Sequence, residues 1–276
     1  MDIKNNVVLV PGASRPVGRA IAVKFAQEGA HLVLPVFSDW PESAMEMEKT
    51  FSLSGYNFLI DSCDLRVAAD VAGLVSKIEK KYGALHYVIN NIERGGMPIV
   101  HGSYDQEHNR DQWDRELNTT LKAKWNIFHY SLPLLKKSGH GAVTNISSIA
   151  ALTGRSGPAS LLFSDGYSAA NRGIASFTKT WSREAAPGIR VNEVMLGLIQ
   201  NRHGEDTRGW SLMLESQQQS LINHTLLKRT GTPQEVADLV YFITVKATYL
   251  TGSTVRCDGG YCLGGESVLP MPTGDV

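Results

Sequence analysis

Short runs of aliphatic and β-branched residues recur along the chain, and between them lie longer segments whose apolar residues fall at helical spacing. Val7–Val10 is the first run. Pro11 and Gly12 close it, so it predicts a short buried strand. Val17, Ala20, Ile21 and Phe25 then follow the period of an amphipathic helix over Val17 to Glu28, and Gly29 stops it. His31–Phe37 is a second apolar run. Phe58–Ile60 and Val88–Asn90 read as strands, with a helix near Ala69–Lys80 between them. One long helix is predicted over Gln112 to Leu135, then a strand over Gly141–Ile146, a helix over Tyr167–Ala185 and a strand over Val191–Met195. Pro233–Thr244 carries a clear helix start: Thr232 as N-cap, Pro233 at the first helical position, and Glu235 three residues after the cap. Val255 lies in a final strand before Asp258-Gly259-Gly260.

Strands that alternate with helices pair in parallel, because the crossover helix returns the chain to the same end of the sheet. The expected fold is therefore α/β: a Rossmann-type doubly wound parallel sheet with helices on both faces. The 276 residues show no repeat and no low-complexity break, so a single domain is expected. The last residues, from Gly264 to Val276, are rich in Gly, Pro and Ser and read as either a loose or an interface-bound tail.

Composition removes several function classes. Lys plus Arg and Asp plus Glu stand at 27 each, so no basic balance favours nucleic acid as a partner. No apolar stretch approaches the length of a membrane span or a signal-peptide core. Cys63, Cys257 and Cys262 are too few and too scattered for a disulfide framework, which fits a reduced, cytoplasmic protein. His101 and His108 have no carboxylate or cysteine pattern that marks a metal site, and no metal is expected.

Seven segments, in order, resemble the short-chain dehydrogenases/reductases. They are Pro11-Gly12-Ala13-Ser14-Arg15-Pro16-Val17-Gly18, Asp64-Leu65, Ile89-Asn90-Asn91, Asn145-Ile146-Ser147-Ser148, Tyr167-Ser168-Ala169-Ala170, Gly188-Ile189-Arg190-Val191-Asn192, and Thr251-Gly252 with Asp258-Gly259-Gly260. The nearest subgroup is the 3-oxoacyl-carrier-protein reductase-like proteins. The resemblance implies a family domain over residues 1–263, a substrate lid over about 200–221, and a C-terminal tail over 264–276. It implies hydride transfer between a nicotinamide cofactor and a carbonyl/alcohol substrate, such as a 3-oxoacyl thioester. It also implies a homo-oligomer, dimer or tetramer, with the apolar tail Val268-Leu269-Pro270-Met271 in the contacts.

Gly12, Ser14, Arg15 and Gly18 would form the turn under the cofactor pyrophosphate, with Asp64 and Leu65 at the adenine and Asn91 and Gly197 along the rest of the dinucleotide. Glycine is needed there because the backbone must turn tightly and approach the phosphates, which the helix N-terminus then attracts. Pro16 departs from the pattern and supplies no N–H. Val36, followed by Phe37, stands where NAD-preferring relatives carry an acid, and Arg15 offers a base for a 2′-phosphate. NADP(H) is therefore favoured over NAD(H).

In the family's pattern a tyrosine exchanges the proton, a serine holds the substrate oxygen, a lysine one helical turn after the tyrosine lowers its pKa, and an asparagine anchors a relay water. Tyr167 and Ser148 match. The lysine position holds Asn171 and the asparagine position Thr120. Glu93 stands where a glycine is usual at the fourth strand's end, and Leu196-Gly197-Leu198-Ile199 has lost two prolines. The interval between Ser148 and Tyr167 is longer than in the family, through Arg155–Gly166. That insertion either reshapes the substrate pocket or makes an oligomer contact. Arg202, His203, Arg208 and Trp210 in the lid region would either grip an acidic substrate or form a solvated excursion.

Three readings follow. The first is an NADP(H)- or NAD(H)-dependent oxidoreductase with Tyr167 and Ser148 at the reacting carbonyl. The second, raised by Asn171, Thr120, Pro16 and Glu93 together, is a non-catalytic homologue acting as structural or regulatory subunit in a hetero-oligomer with an active partner. The third is altered chemistry, such as proton transfer or dehydration, on the same scaffold.

Overall fold

The computed structural model describes residues 3–266 and 268–274; Ser267 and the tail's last two residues, Asp275 and Val276, lie outside the described residues. Seven strands form one parallel sheet: β1 (Val7–Leu9), β2 (His31–Val36), β3 (Phe58–Ser62), β4 (Tyr87–Asn90), β5 (Gly141–Ser148), β6 (Ile189–Leu196) and β7 (Thr254–Cys257). Their order across the sheet is β3-β2-β1-β4-β5-β6-β7. The doubly wound single sheet is the expected fold. All seven strands fall in or around their predicted runs.

Alternation along β1 shows why the sheet has two cores. Val7 and Leu9 pack into one layer with Val33, Leu74, Val88, Ile127, Val143 and Trp181. Val8 and Val10 point to the opposite face and pack with Ile21, Phe25, Leu32, Leu34, Val194 and Val240. A third cluster sits beyond the strand ends, where Leu162 and Phe163 meet Ile149, Tyr167, Met195, Met213 and Tyr261. The segment Arg155–Gly166 supplies Ala159, Leu162 and Phe163 to this cluster, all fully buried within the chain. Its apolar residues are thus spent on the chain's own core.

The helices on the two faces are α1 (Pro16–Gln27), α2 (Pro41–Leu53), α3 (Ala68–Tyr82), α5 (Gln112–Leu117), α6 (Ala123–Ser138), α8 (Asp165–Ala185) and α11 (Pro233–Tyr241), with short turns α4 (Pro98–His101), α7 (Ala150–Thr153) and α9 (Arg208–Ser211), and α10 (Glu215–His224) between. α11 starts as predicted: the Thr232 hydroxyl accepts from Glu235 N at 3.2 Å, and Thr232 N donates to the Glu235 carboxylate at 2.8 Å. α2 escaped prediction because only Met47 and Phe51 of its residues are buried, too thin an apolar stripe to show a period.

The single long helix expected over Gln112 to Leu135 is interrupted. A π-helical turn, Asn118–Lys122, separates α5 from α6, and Thr120 is its buried residue. A second π turn, Phe242–Lys246, ends the helix predicted to run to Thr244. The segment after β6 contains α9 and α10, two short helices. In the tail, Val268, Leu269 and Met271 stand exposed. No described helix is long and apolar enough to cross a membrane.

Candidate active site

The strand order reverses between β1 and β4, since β2 lies on one side of β1 and β4 on the other. At such a switch point the loops leaving the two strands diverge and open a crevice. Gly12 follows β1 and Asn91 follows β4, so the sequence-predicted turn lies at the crevice mouth. Gly12 has φ +72, and a Cβ there would stand 2.5 Å from the Asn91 carbonyl oxygen. A Cβ on Gly18 would stand 2.2 Å from the Gly12 carbonyl oxygen. Both positions require glycine because loop, strand end and helix meet without room for a side chain.

The resulting cleft has a volume of about 560 Å³, the scale of a nucleotide or cofactor site. Gly12, Ser14, Arg15, Gly18, Asp64, Leu65 and Asn91 all line it. Arg15 lies 4.3 Å over the ring of Trp40, and Arg66 lies 5.0 Å over Phe37. Arg66 also grips Asp64 through two hydrogen bonds of 2.8 Å. This guanidinium and the Arg66 backbone hold the Asp64 carboxyl below its ordinary range. Asp39 reaches the cleft wall too. Pro16 occupies the first position of α1, so the N-terminal turn is intact with one N–H fewer.

The other predicted residues do not line that cleft. Gly197 packs on Asp258, whose Cα a Cβ would approach to 2.6 Å. Ser148 is buried and its Oγ accepts from Ala150 N at 3.2 Å. Thr120 accepts from Arg94 N at 2.9 Å, tying the π turn to the loop after β4. Asn171 Nδ2 donates to the Tyr167 carbonyl at 3.0 Å, while its Oδ1 is buried with no partner among the described residues. Asn171 is therefore neutral and turned back on its own helix. Ser164 is the N-cap of α8: its Oγ accepts from Tyr167 N at 3.3 Å and donates to Glu116 at 2.8 Å.

Tyr167 is fully buried, and its hydroxyl stands in a charged cluster. It donates to Glu93 Oε2 at 2.7 Å, and His203 Nε2 lies 3.1 Å away. Arg202 Nη2 bonds Glu93 Oε2 and also reaches the Ser147 carbonyl at 3.4 Å. The carboxylate can only accept, so the tyrosine proton points to Glu93 and the His203 Nε2–H must donate to the phenolic oxygen. His203 Nδ1 is left buried without a partner among the described residues. Phe163 closes the cluster with its ring 5.5 Å from His203.

The charges fit this arrangement. Burial pushes the Glu93 carboxyl up, but the Arg202 guanidinium and its other partners outweigh it and hold the carboxyl below the ordinary value. Burial, then the Glu93 carboxylate, push the Tyr167 phenol well above its ordinary value. Burial pulls His203 down to about 4, so its ring is neutral near pH 7. Lys124, buried on α6 four residues after Thr120, bonds the Ile92 carbonyl, and burial pulls it down to about 7.

Glu93, Arg202 and His203 line the cleft, whereas Tyr167 does not. The sequence flagged all three separately, Glu93 as a departure at a strand end and the other two as lid residues. Nothing in it joined them. Lys124 carried a weak signal, its four-residue spacing from Thr120, and was not singled out.

The parallel sheet, the switch-point cleft and the glycine turn are those of a Rossmann-type fold. Residues 12–262 match the family model described as enoyl-(acyl carrier protein) reductase, and the chain belongs to this short-chain dehydrogenase/reductase family of oxidoreductases. The chain is 28% identical over 266 residues to 3-oxoacyl-[acyl-carrier-protein] reductase FabG of Thermotoga maritima, covering 94% of this chain and 99% of that one. It is likewise 28% identical over 254 residues to the FabG reductase of Staphylococcus aureus, covering 91% and 96%. A solved short-chain dehydrogenase/reductase of the glucose/ribitol dehydrogenase type from Brucella melitensis superposes with a TM-score of 0.75 at 24% identity, covering 95% of this chain and 98% of that one. That likeness concerns the fold.

Proposed function

We propose that the chain transfers a hydride between NADP(H) and a carbonyl/alcohol substrate of the 3-oxoacyl thioester type, with Tyr167 exchanging the proton and Ser148 holding the substrate oxygen. The carrying observation is the cleft at the β1/β4 switch point, whose wall contains Gly12, Gly18 and Asn91 at one end and Glu93, Arg202 and His203 at the other. The residues present fit the dinucleotide: the N-terminal turn of α1 would face the pyrophosphate, Asp64 and Leu65 the adenine, and Arg15 beside Trp40 the ribose 2′-phosphate. When bound it supplies the hydride.

The chain's own residues do the rest. Ser148 and Tyr167 hold the substrate oxygen, and the burial around Phe163 excludes water. His203 Nε2 stands 3.1 Å from the phenolic oxygen, so the segment after β6 withdraws when substrate enters. The unpaired Nδ1 of His203 lowers the cost of that withdrawal, because a buried unsatisfied nitrogen is already worth about 1–3 kcal/mol. The exposed tail residues Val268, Leu269 and Met271 are the surface assigned to a second copy in a dimer or tetramer.

Titration with NADPH and NADH, followed by acetoacetyl-coenzyme A reduction, tests the reading. Micromolar NADPH binding, about −8 kcal/mol, with turnover lost in Tyr167→Phe, is the expected result. Absence of binding at millimolar NADPH overturns it and moves the chain to a subunit role beside an active partner.

A further inference from the structure

Asn171 leaves the reaction without the cation and proton path that a lysine would supply, and another pair stands on the phenolic oxygen. Glu93 and Arg202 come from the ends of β4 and β6, far apart in sequence, and meet at Tyr167. The Glu93 side chain is 20% exposed and faces the cleft, whereas the tyrosine is fully buried. Any proton leaving Tyr167 along its existing hydrogen bond therefore arrives on a carboxylate that touches cleft water.

We propose that Glu93 is the proton relay between Tyr167 and the cleft, with Arg202 as the fixed cation that holds the relay in place. The pair supplies a proton path and does not lower the phenol pKa. The proposal rests on the oxidoreductase reading above.

The hydrogen-bond directions support it. Tyr167 donates to Glu93 and accepts from His203 Nε2–H. A substrate alcohol brought to the phenolic oxygen would take the position of that donor. In the oxidation direction the alcohol O–H breaks and its proton goes to the Tyr167 oxygen as the phenolic O–H breaks and its proton passes to Glu93 Oε2, while the carbon–hydrogen pair would leave as hydride to the dinucleotide when bound. Glu93 passes its proton to cleft water. One proton and one hydride leave the alcohol, and Tyr167 and Glu93 end as they began. Reduction runs the same path backwards.

Arg202 is a positioning residue in this scheme. Its guanidinium bonds the same Oε2 that receives the phenolic proton, and it also contacts the Ser147 carbonyl beside Ser148. Lys124 holds the Ile92 carbonyl next to Glu93 and so fixes the backbone on the other side. Every cationic and titratable group facing Glu93 is thus named: Arg202, His203, Tyr167 and Lys124.

Two measurements separate this inference from the reading beneath it. The first needs no substrate: phenolate absorbance is titrated in wild type, Glu93→Gln and Glu93→Gln/Tyr167→Phe. One tyrosine should ionise at distinctly lower pH in Glu93→Gln, and the second substitution should remove that transition; coincident titrations overturn the proposal. The second uses NADPH and acetoacetyl-coenzyme A. Glu93→Gly should lose about 10²-fold in kcat with KM little changed, added formate should restore part of the loss, and Arg202→Lys should retain more activity than Arg202→Met. A Glu93→Gly enzyme as fast as wild type or faster shows that the carboxylate only obstructs the site, and overturns the proposal. Should wild type fail to turn over this thioester, the oxidoreductase reading of that substrate fails, and the phenolate titration still decides the role of Glu93.

Discussion

The Tyr167 phenol on α8 donates a hydrogen bond of 2.7 Å to Glu93, in the loop after β4. The two elements are far apart in sequence, and the contact exists because β4 and β5 are neighbours while α8 packs over β5. It places the Glu93–Arg202 ion pair at the phenolic oxygen, while Asn171, one turn along α8, is neutral and bonded back to the Tyr167 carbonyl.

On the proposed function, Arg15 selects between the two nicotinamide cofactors. Its guanidinium is held over Trp40 at 4.3 Å on the cleft wall, ready for a phosphate. Arg15→Ala should weaken NADPH by about tenfold to a hundredfold, the worth of one charge-assisted hydrogen bond, while NADH changes by less than about threefold. Calorimetric titration of both nucleotides reads the difference.

Pro16 sits at the first position of α1, and the cleft wall includes it. Pro16→Gly returns one N–H to the phosphate-facing turn. NADPH affinity should rise by about tenfold, since a hydrogen bond to a charged group contributes at least about 1.5 kcal/mol. Nucleotide fluorescence titration checks it; unchanged affinity would place the pyrophosphate elsewhere.

Lys124 makes stability depend on pH. Burial holds its folded-state pKa at about 7, below the unfolded value of about 10.4, so between these limits the unfolded chain binds the extra proton. Stability contributed by this group therefore rises with pH from about 7 to about 10.4 and is lowest below 7, where the buried ammonium must stay charged. Lys124→Met should flatten that slope in denaturant-unfolding curves measured across the range, at the cost of the bond to the Ile92 carbonyl.

Thr232 caps α11, with the Glu235 carboxylate returning to Thr232 N at 2.8 Å. Thr232→Ala should cost about 1 kcal/mol and lower Tm by a few degrees, without altering nucleotide affinity. Glu235 itself is held down to about 2, first by Arg229 and then by the Thr232 N–H, so the capping interaction persists through mildly acidic pH and is lost as pH falls towards 2.

The apolar runs and the helical periods specified the sheet and most helices, because a strand buried on both faces cannot be polar and a covering helix must show a stripe. The glycine turn was equally legible: Gly12 and Gly18 carry out a steric demand that any side chain would violate by about an ångström. α2 was not legible, since two buried residues make no period. The π turn at Asn118–Lys122 was not legible either, because a widened turn keeps helical composition while shifting which side chains face inward.

Within the candidate site the sequence determined the chemistry on offer: a tyrosine followed one turn later by a neutral asparagine, a serine on the preceding strand, a carboxylate after a strand end and two basic residues in a loop. Which of these act on one another was decided by the tertiary structure alone. Spacing along one helix relates Tyr167 to Asn171, but Glu93, Arg202 and His203 reach Tyr167 from other strand ends, and their meeting depends on strand order and on the path of the loop after β6. Short-range periodicity is written into the chain; the convergence of loops at a switch point follows only from how the sheet is wound.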